Sequence, residues 1–337
     1  MLPHAEAAIE LDGITADALP DEVLRSTQPL VVRGLVAHWP LVQAGLKSPQ
    51  DGIAYLRRFS RDAKVAALVG AHQHGGRLFY NEDMSGFNFH REEPKLDAMF
   101  DAMLRHLHDP EPPTLYMGST TVDTFLPGLR SENDLDLGTR QPLYSIWVGN
   151  RSRIAAHHDV PDNLACVAVG RRRFTLFPPE QVANLYIGPL DLTPAGQAIS
   201  LVDFHDPDLE RFPKFADAMA HAQVAELGPG DALFIPSMWW HHVEALDAFN
   251  VLLNYWWRQS PAYMDTPMNA LMLAIMCVRD LPEAQRSAWR EMFRHYVFEA
   301  DETTAAHIAQ TARGALSPMT ADAVRILRAQ LLKRLTR

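Results

Sequence analysis

Between about residues 143 and 257 the chain is a succession of short apolar β segments cut by turn signals. Leu143–Val148, Leu164–Val169, Arg173–Phe177, Ala232–Ile235, His242–Leu246 and Asn250–Trp257 each read as a strand. Gly149-Asn150, Gly170 and Gly228-Pro229-Gly230-Asp231 punctuate them. So many short strands in about 115 residues constrain the segment to a barrel or a double-sheet roll.

The flanks differ. Residues 1–140 are mixed α/β: Leu30-Val31-Val32 reads as a short strand before the turn Arg33-Gly34, and Val65–Val69 is a second apolar run. Lys95–His108 carries Leu96, Met99, Phe100, Met103, Leu104 and Leu107 at helical spacing, a core-facing stripe stopped by Asp109-Pro110-Glu111-Pro112-Pro113. Residues 261–337 read as helical. Trp289, Met292, Phe293 and Tyr296 share one face, while Val324, Leu327, Leu331 and Leu335 share another, behind a Ser317-Pro318 start. A tail this apolar must cover the barrel or meet a second chain. The expected fold is mainly β with α additions: a 1–140 mixed part, a 141–260 core and a 261–337 helical region.

Composition narrows the function classes. With 31 basic residues against 41 acidic ones the net charge is −10, which argues against a general nucleic-acid binder or a polybasic membrane anchor. Two cysteines, Cys166 and Cys277, make no disulfide framework and fit a reducing compartment. Met1 to Glu10 has neither a basic nor an apolar leader region, and the longest apolar run, Ala270–Val278, is too short to span a bilayer. A soluble, cytoplasmic protein with no membrane partner is expected.

The 15 histidines raise a metal question. In Ala156-His157-His158-Asp159, strand parity puts His157 and Asp159 on one side and His158 on the other. Downstream, Trp239-Trp240-His241-His242 follows the Gly-Pro-Gly-Asp turn and an apolar strand. One of those two histidines would complete two imidazoles and a carboxylate on one face of a metal, the set used by non-haem Fe(II) oxygenases. Parity alone does not choose between them. His72-x-His74 in a loop and His106-x-His108 on a helix read as solvated polar residues.

The ordered set of motifs resembles the cupin-like JmjC hydroxylases, the group that includes the asparaginyl hydroxylase of hypoxia-inducible factor. It runs through Trp147-Val148-Gly149, His157-His158-Asp159, Asn163, Gly170-Arg171-Arg172-Arg173-Phe174 and Leu176-Phe177-Pro178-Pro179. It continues in Asp206-Pro207-Asp208, Arg211-Phe212-Pro213, the Gly-Pro-Gly-Asp turn, Trp239-Trp240-His241-His242 and Asn254-Tyr255-Trp256. The likeness is clear over about residues 140–260. It is looser at Val31-Val32-Arg33-Gly34, Trp39-Pro40, Leu78–Glu82 and Leu115-Tyr116.

The resemblance implies a double-stranded β-helix, a cupin or jelly-roll core, with Fe(II) held by His157, Asp159 and His241. It implies 2-oxoglutarate as cosubstrate, its distal carboxylate met by Arg172, where relatives usually carry lysine, and by Tyr116. Asn163 and Asn254 match polar positions near the cosubstrate, and Trp256 matches a wall of the pocket. One departure stands out: Ile154 occupies the position of a threonine that helps hold the cosubstrate, so one hydrogen bond is lost. The implied activity is O2-dependent hydroxylation of a C–H bond on a protein side chain. The alternatives are the same chemistry on a small molecule, or a metal-binding cupin without turnover. Because Asp159 is present, hydroxylation is favoured over halogenation, whose enzymes lack that carboxylate. The helical tail resembles dimerising C-terminal helices and implies a homodimer.

Overall fold

The computed structural model describes residues 5–336, so part of the N-terminal stretch read for a leader lies outside the described residues. The chain divides into two compact units, the first ending at Gln259 and the second beginning at Ser260. Fifteen strands lie in the first unit among the described residues. Those before the core segment are β1 (Glu6–Ala7), β2 (Ile9–Leu11), β3 (Leu30–Val32), β4 (Ala67–Gly70), β5 (Arg77–Leu78), β6 (Phe89–Glu92) and β7 (Thr114–Thr121). The core segment adds β8 (Leu143–Gly149), β9 (Ser152–His158), β10 (Asp162–Val169) and β11 (Arg172–Phe177). It closes with β12 (Gln223–Leu227), β13 (Ala232–Ile235), β14 (Trp240–Ala245) and β15 (Asn250–Trp257).

These strands make two sheets, in the orders β1-β12-β11-β14-β9-β5 and β2-β3-β13-β10-β15-β8-β7-β4-β6. Alternation of side chains gives each sheet two apolar faces with different partners. Between the sheets lie Phe174, Leu176, Ala225, Leu227 and Val243 from one, and Ala165, Val167, Leu233, Ile235 and Leu252 from the other. Leu164, Cys166, Ala168, Phe234, Leu253 and Tyr255 point the opposite way, into a second core. That core is completed by α1 (Pro40–Lys47), α2 (Pro49–Arg57) and α3 (Leu96–Arg105). This explains why β10 is buried along all eight residues. The approach of α1 is close: a Cβ on Gly45 would sit 2.5 Å from Val169 Cγ2. The outer face of the smaller sheet is roofed by the 178–222 insertion through Phe204, Phe212 and Phe215 on Phe177 and Trp240.

Two local devices shape the barrel. In the Gly-Pro-Gly-Asp turn, Gly230 has φ 101°, a conformation other residues adopt only with strain. Asp231 then accepts from the backbone N–H of Gly34 (2.9 Å) and of Gly228 (3.0 Å) and from Arg33 Nη1 (2.8 Å). The turn and the Arg33-Gly34 segment are thus one latch. The second device is a β-bulge. β14 pairs with β9 so that His241 faces His157 but Val243 faces Ile154, leaving two residues, Ala155 and Ala156, against the single His242. The extra residue in Ala155-Ala156 lets both Ile154 and His157 face inward.

Several boundaries differ from the sequence reading. β14 begins at Trp240, two residues before the expected His242 start, because Trp240 and His241 extend the ladder opposite Phe177 and Leu176. β6, β7 and β12 go beyond the strands expected from the sequence, because they mix polar and apolar residues without a clean alternation; β9 extends the strand expected around His157 back to Ser152. α3 ends at Arg105, and His106 beyond it bonds Asp109 at 2.8 Å. His72–His74 curls into one 3-10 turn instead of an open loop.

The second unit contains α6 (Pro267–Cys277), α7 (Glu283–Phe293) and α8 (Ala321–Leu335); α4 (Val122–Phe125) and α5 (Phe215–Met219) are short helices of the first. α8 is capped by Thr320, whose hydroxyl accepts from Ala323 N at 3.2 Å, not by Ser317. A Thr three residues later offers the same chemistry and sits directly before the helical run.

Candidate metal centre

His157 is the penultimate residue of β9, Asp159 follows that strand, and His241 is His157's register partner on β14. Their ligand atoms lie within 4.8 Å of one another, the one such group of three among the described residues. The imidazole centroids are 4.4 Å apart, and His241 Nε2 is 3.7 Å from Asp159 Oδ2. The neighbouring histidines go elsewhere. His158 packs edge-on against Trp240 (4.7 Å), and His242 stacks on Phe204 (4.4 Å) in the outer layer.

Each triad imidazole is fixed by the backbone two residues before it. His157 Nδ1 donates to the Ala155 carbonyl at 2.9 Å and His241 Nδ1 to the Trp239 carbonyl at 3.0 Å. A carbonyl only accepts, so each Nδ1 carries the proton and each Nε2 presents a lone pair. Burial, reinforced by His157 next to it, pulls the pKa of His241 down to about 4, which keeps the ring neutral near pH 7. Neutral imidazole is the form that binds a metal.

Asp159 is held from two sides. Its Oδ2 accepts from Trp256 Nε1 (3.1 Å) and from Asn163 Nδ2 (3.4 Å). Asn163 Oδ1 accepts from Asn254 Nδ2 (3.1 Å), and Asn254 Oδ1 from Trp147 Nε1 (2.8 Å). The backbone locks the two ligand segments to each other: Met238 N donates to the Asp159 carbonyl at 2.9 Å and Ser237 Oγ to the Val160 carbonyl at 2.6 Å. Met238 pays for that contact with φ 69°, a left-handed conformation costing a non-glycine residue about 1–3 kcal/mol.

Arg172 lies deeper in the same interior, four residues along β11 from Leu176, the register partner of His241. At about 3.3 Å per residue that is about 13 Å of strand. The side chain is buried, and its Nε and Nη2 find no hydrogen-bond partner. Burial lowers its pKa, while the nearby Tyr116 acts in the opposite sense. Tyr116 is buried too, and desolvation pushes its pKa up to about 12 against the opposing charge of Arg172. Arg171 and Arg173 point outward, to Asp247 (3.0 Å) and Glu226 (3.0 Å). Ile154 packs beside Tyr116, Trp147 and Leu78, so the wall is apolar where the resemblance puts a hydroxyl.

The donor set fits a divalent metal, and the orphaned guanidinium fits an anion: burying an unpaired charge costs several kcal/mol, which a carboxylate ligand would offset. The structure brings together all eight residues singled out in the sequence. Tyr116 and Arg172 lie at depth; Asn163 and Trp256 bond Asp159, and Asn254 bonds Asn163 behind it. Nothing in the local sequence points to a role for Trp147 or Met238 at the metal cluster. Trp147 is a diagonal neighbour of Asn254 across β8 and β15, a relation no local spacing contains.

A family model described as a cupin-like domain matches residues 16–263. HSPB1-associated protein 1 of Homo sapiens is 31% identical over 149 residues, 43% of this chain and 30% of that protein. tRNA wybutosine-synthesizing protein 5 of Danio rerio is 37% identical over 106 residues, 32% of this chain and 29% of that protein. Lysine-specific demethylase 8 of Xenopus tropicalis is 25% identical over 241 residues, 70% of this chain and 49% of that protein. The chain spans less than a third of the human and zebrafish relatives and about half of the frog one.

Proposed function

This chain belongs to the cupin-like domain family, and from that premise we propose that it is an Fe(II)- and 2-oxoglutarate-dependent dioxygenase. On this reading it hydroxylates a C–H bond, with a protein side chain as substrate. The observation that carries the proposal is the coexistence, in one barrel interior, of a two-histidine, one-carboxylate cluster and a buried guanidinium with unpartnered donors.

His157, Asp159 and His241 would hold the metal through two neutral Nε2 atoms and one carboxylate. Arg172 and Tyr116 would bind the distal carboxylate of the cosubstrate, the guanidinium through two N–H donors and the phenol through its hydroxyl. Tyr116, with its raised pKa, stays protonated and acts as a donor. Bound iron with 2-oxoglutarate and O2 would supply oxidative decarboxylation to succinate and CO2 and hydroxylation of the substrate C–H bond. The apolar wall of Ile154, Val243 and Phe174 excludes water between the two polar ends.

One observation favours a second reading. Ile154 offers the cosubstrate no hydrogen bond, which suits a metal-binding cupin without oxygenase turnover. A small molecule in place of a protein is the other alternative. The deciding measurement is succinate formation from 2-oxoglutarate with Fe(II) under air. The proposal expects turnover that stops without Fe(II) or without O2; no succinate under any condition would leave the ligand-binding cupin.

We further propose residues 141–260 as the catalytic core, 1–140 as the part framing it, and 261–337 as a dimerisation region in a homodimer. The second unit exposes Met276 (63%), Phe298 (80%) and Leu332 (57%), a cost that a second copy would relieve. Cytoplasmic residence remains part of the proposal. The net charge of −10 supports a partner other than nucleic acid. Among the described residues no helix is long and apolar enough to cross a membrane.

A further inference from the structure

The hydrogen bonds ending on Asp159 have a direction, and it is set by donor-only groups. An indole N–H cannot accept, so Trp147 Nε1 fixes which end of the Asn254 amide is oxygen (2.8 Å). Asn254 must then offer its NH2 to Asn163 (3.1 Å), and Asn163 must offer its own NH2 to Asp159 (3.4 Å). A second donor-only indole, Trp256, reaches the same carboxylate oxygen at 3.1 Å. Both amides are buried, Asn254 at 1% and Asn163 at 7% exposure, so water does not scramble them. The links cross β8, β15 and β10 on sheet diagonals, since Asn163 faces Trp256 and Trp147 faces Leu252 in register.

We propose that Trp256 and the Trp147–Asn254–Asn163 relay are positioning residues for Asp159. They fix the carboxylate plane by donating to Oδ2 from two directions, so that it meets the metal in one orientation. Trp256, on this account, does more than wall the pocket, and the two asparagines serve the metal ligand before any cosubstrate binds. The inference rests on the metal-triad reading of the proposed function. Outer partners of metal ligands typically control about 10- to 100-fold in metal affinity.

The test is Mn(II) binding to the metal-free protein, followed by isothermal titration without cosubstrate, with the Co(II) visible spectrum as a second readout. Trp256→Phe keeps an aromatic ring and removes the donor; it is expected to weaken Mn(II) at least tenfold and to alter the Co(II) spectrum, with the far-UV dichroism of the wild type. Trp147→Phe, three links away, is expected to weaken Mn(II) less than Trp256→Phe. Should Trp256→Phe fail to fold, Asn163→Ala carries the same expectation. Asp159→Ala separates the two levels. If it loses Mn(II) while the positioning variants keep wild-type affinity and spectrum, the triad stands and this inference is overturned. If Asp159→Ala itself binds Mn(II) as the wild type does, the triad reading falls and this inference with it.

Discussion

His157 and His241 are direct register partners on adjacent antiparallel strands, with ring centroids 4.4 Å apart and each Nδ1 bound to the carbonyl two residues earlier. Two ligands 84 residues apart in sequence (241 − 157) therefore become one preformed pair of Nε2 lone pairs. Strand pairing fixes their separation and the carbonyls fix their rotation. What remains to be added is a single carboxylate, from the residue just beyond β9.

That geometry separates neighbours sharply. His241→Ala is expected to abolish Fe(II)-dependent succinate formation and to weaken Mn(II) binding by two orders of magnitude or more. His158→Ala should keep metal affinity within about threefold, because that ring packs edge-on against Trp240 outside the cluster. Metal stoichiometry and turnover on both variants check this; equal losses would mean the triad is misassigned.

The buried guanidinium makes a graded prediction. Arg172→Ala should raise the 2-oxoglutarate KM about 30-fold or more, as expected when a desolvated carboxylate loses its partner at roughly 2–5 kcal/mol. Arg172→Lys keeps the charge but loses the fork, and should fall between the two. Mn(II) affinity without cosubstrate should stay near wild type in both. Initial rates against 2-oxoglutarate concentration read the first effect, and unchanged KM in Arg172→Ala would assign the carboxylate to another residue.

His242 should make the fold acid-sensitive. Its ring is buried, neither nitrogen has a partner, and burial drags its pKa down to about 3, with the charges of His205 and Arg153 adding to the effect. The unfolded chain takes up this proton near pH 6.5, whereas the folded one refuses it. Stability conferred above pH 6.5 is therefore lost as pH falls towards 3, by up to about 1.4 kcal/mol per pH unit. His242→Phe, which keeps a ring on Phe204, should change stability little at pH 8 and gain about 2 kcal/mol over wild type at pH 5. Urea unfolding of the metal-free protein at both pH values reads the difference; parallel behaviour would exonerate this histidine.

Assembly is the fourth test. Trp289 and Met292 on α7, and Leu331 and Leu335 on α8, are between 38% and 49% exposed. Light scattering at micromolar concentration should give twice the 37.8 kDa chain mass. Leu331→Arg should shift the population to monomer, since an obligate interface of this kind is apolar and a buried unpaired charge is costly. A wild-type species of single-chain mass would remove the homodimer.

What the sequence by itself determined is what local periodicity and backbone chemistry carry. The double-sheet roll, the α3 stripe, the Gly230 turn and the placement of His157 and His158 on opposite faces are all legible there. Each depends on residues within a few positions of one another. Tertiary structure alone decided the rest. The β9 bulge brings Ile154 and His157 to the same side, against simple alternation, and no residue in Ala155-Ala156 announces it. Parity puts His241 and His242 on opposite faces but does not say which face is the interior; the Phe204 roof on His242 does. The Trp147–Asn254–Asn163–Asp159 chain follows sheet diagonals, and a diagonal exists only once register is set. Register comes from pairing strands far apart in the chain, through side chains that must fill one interior together, and that is a property of the packed whole.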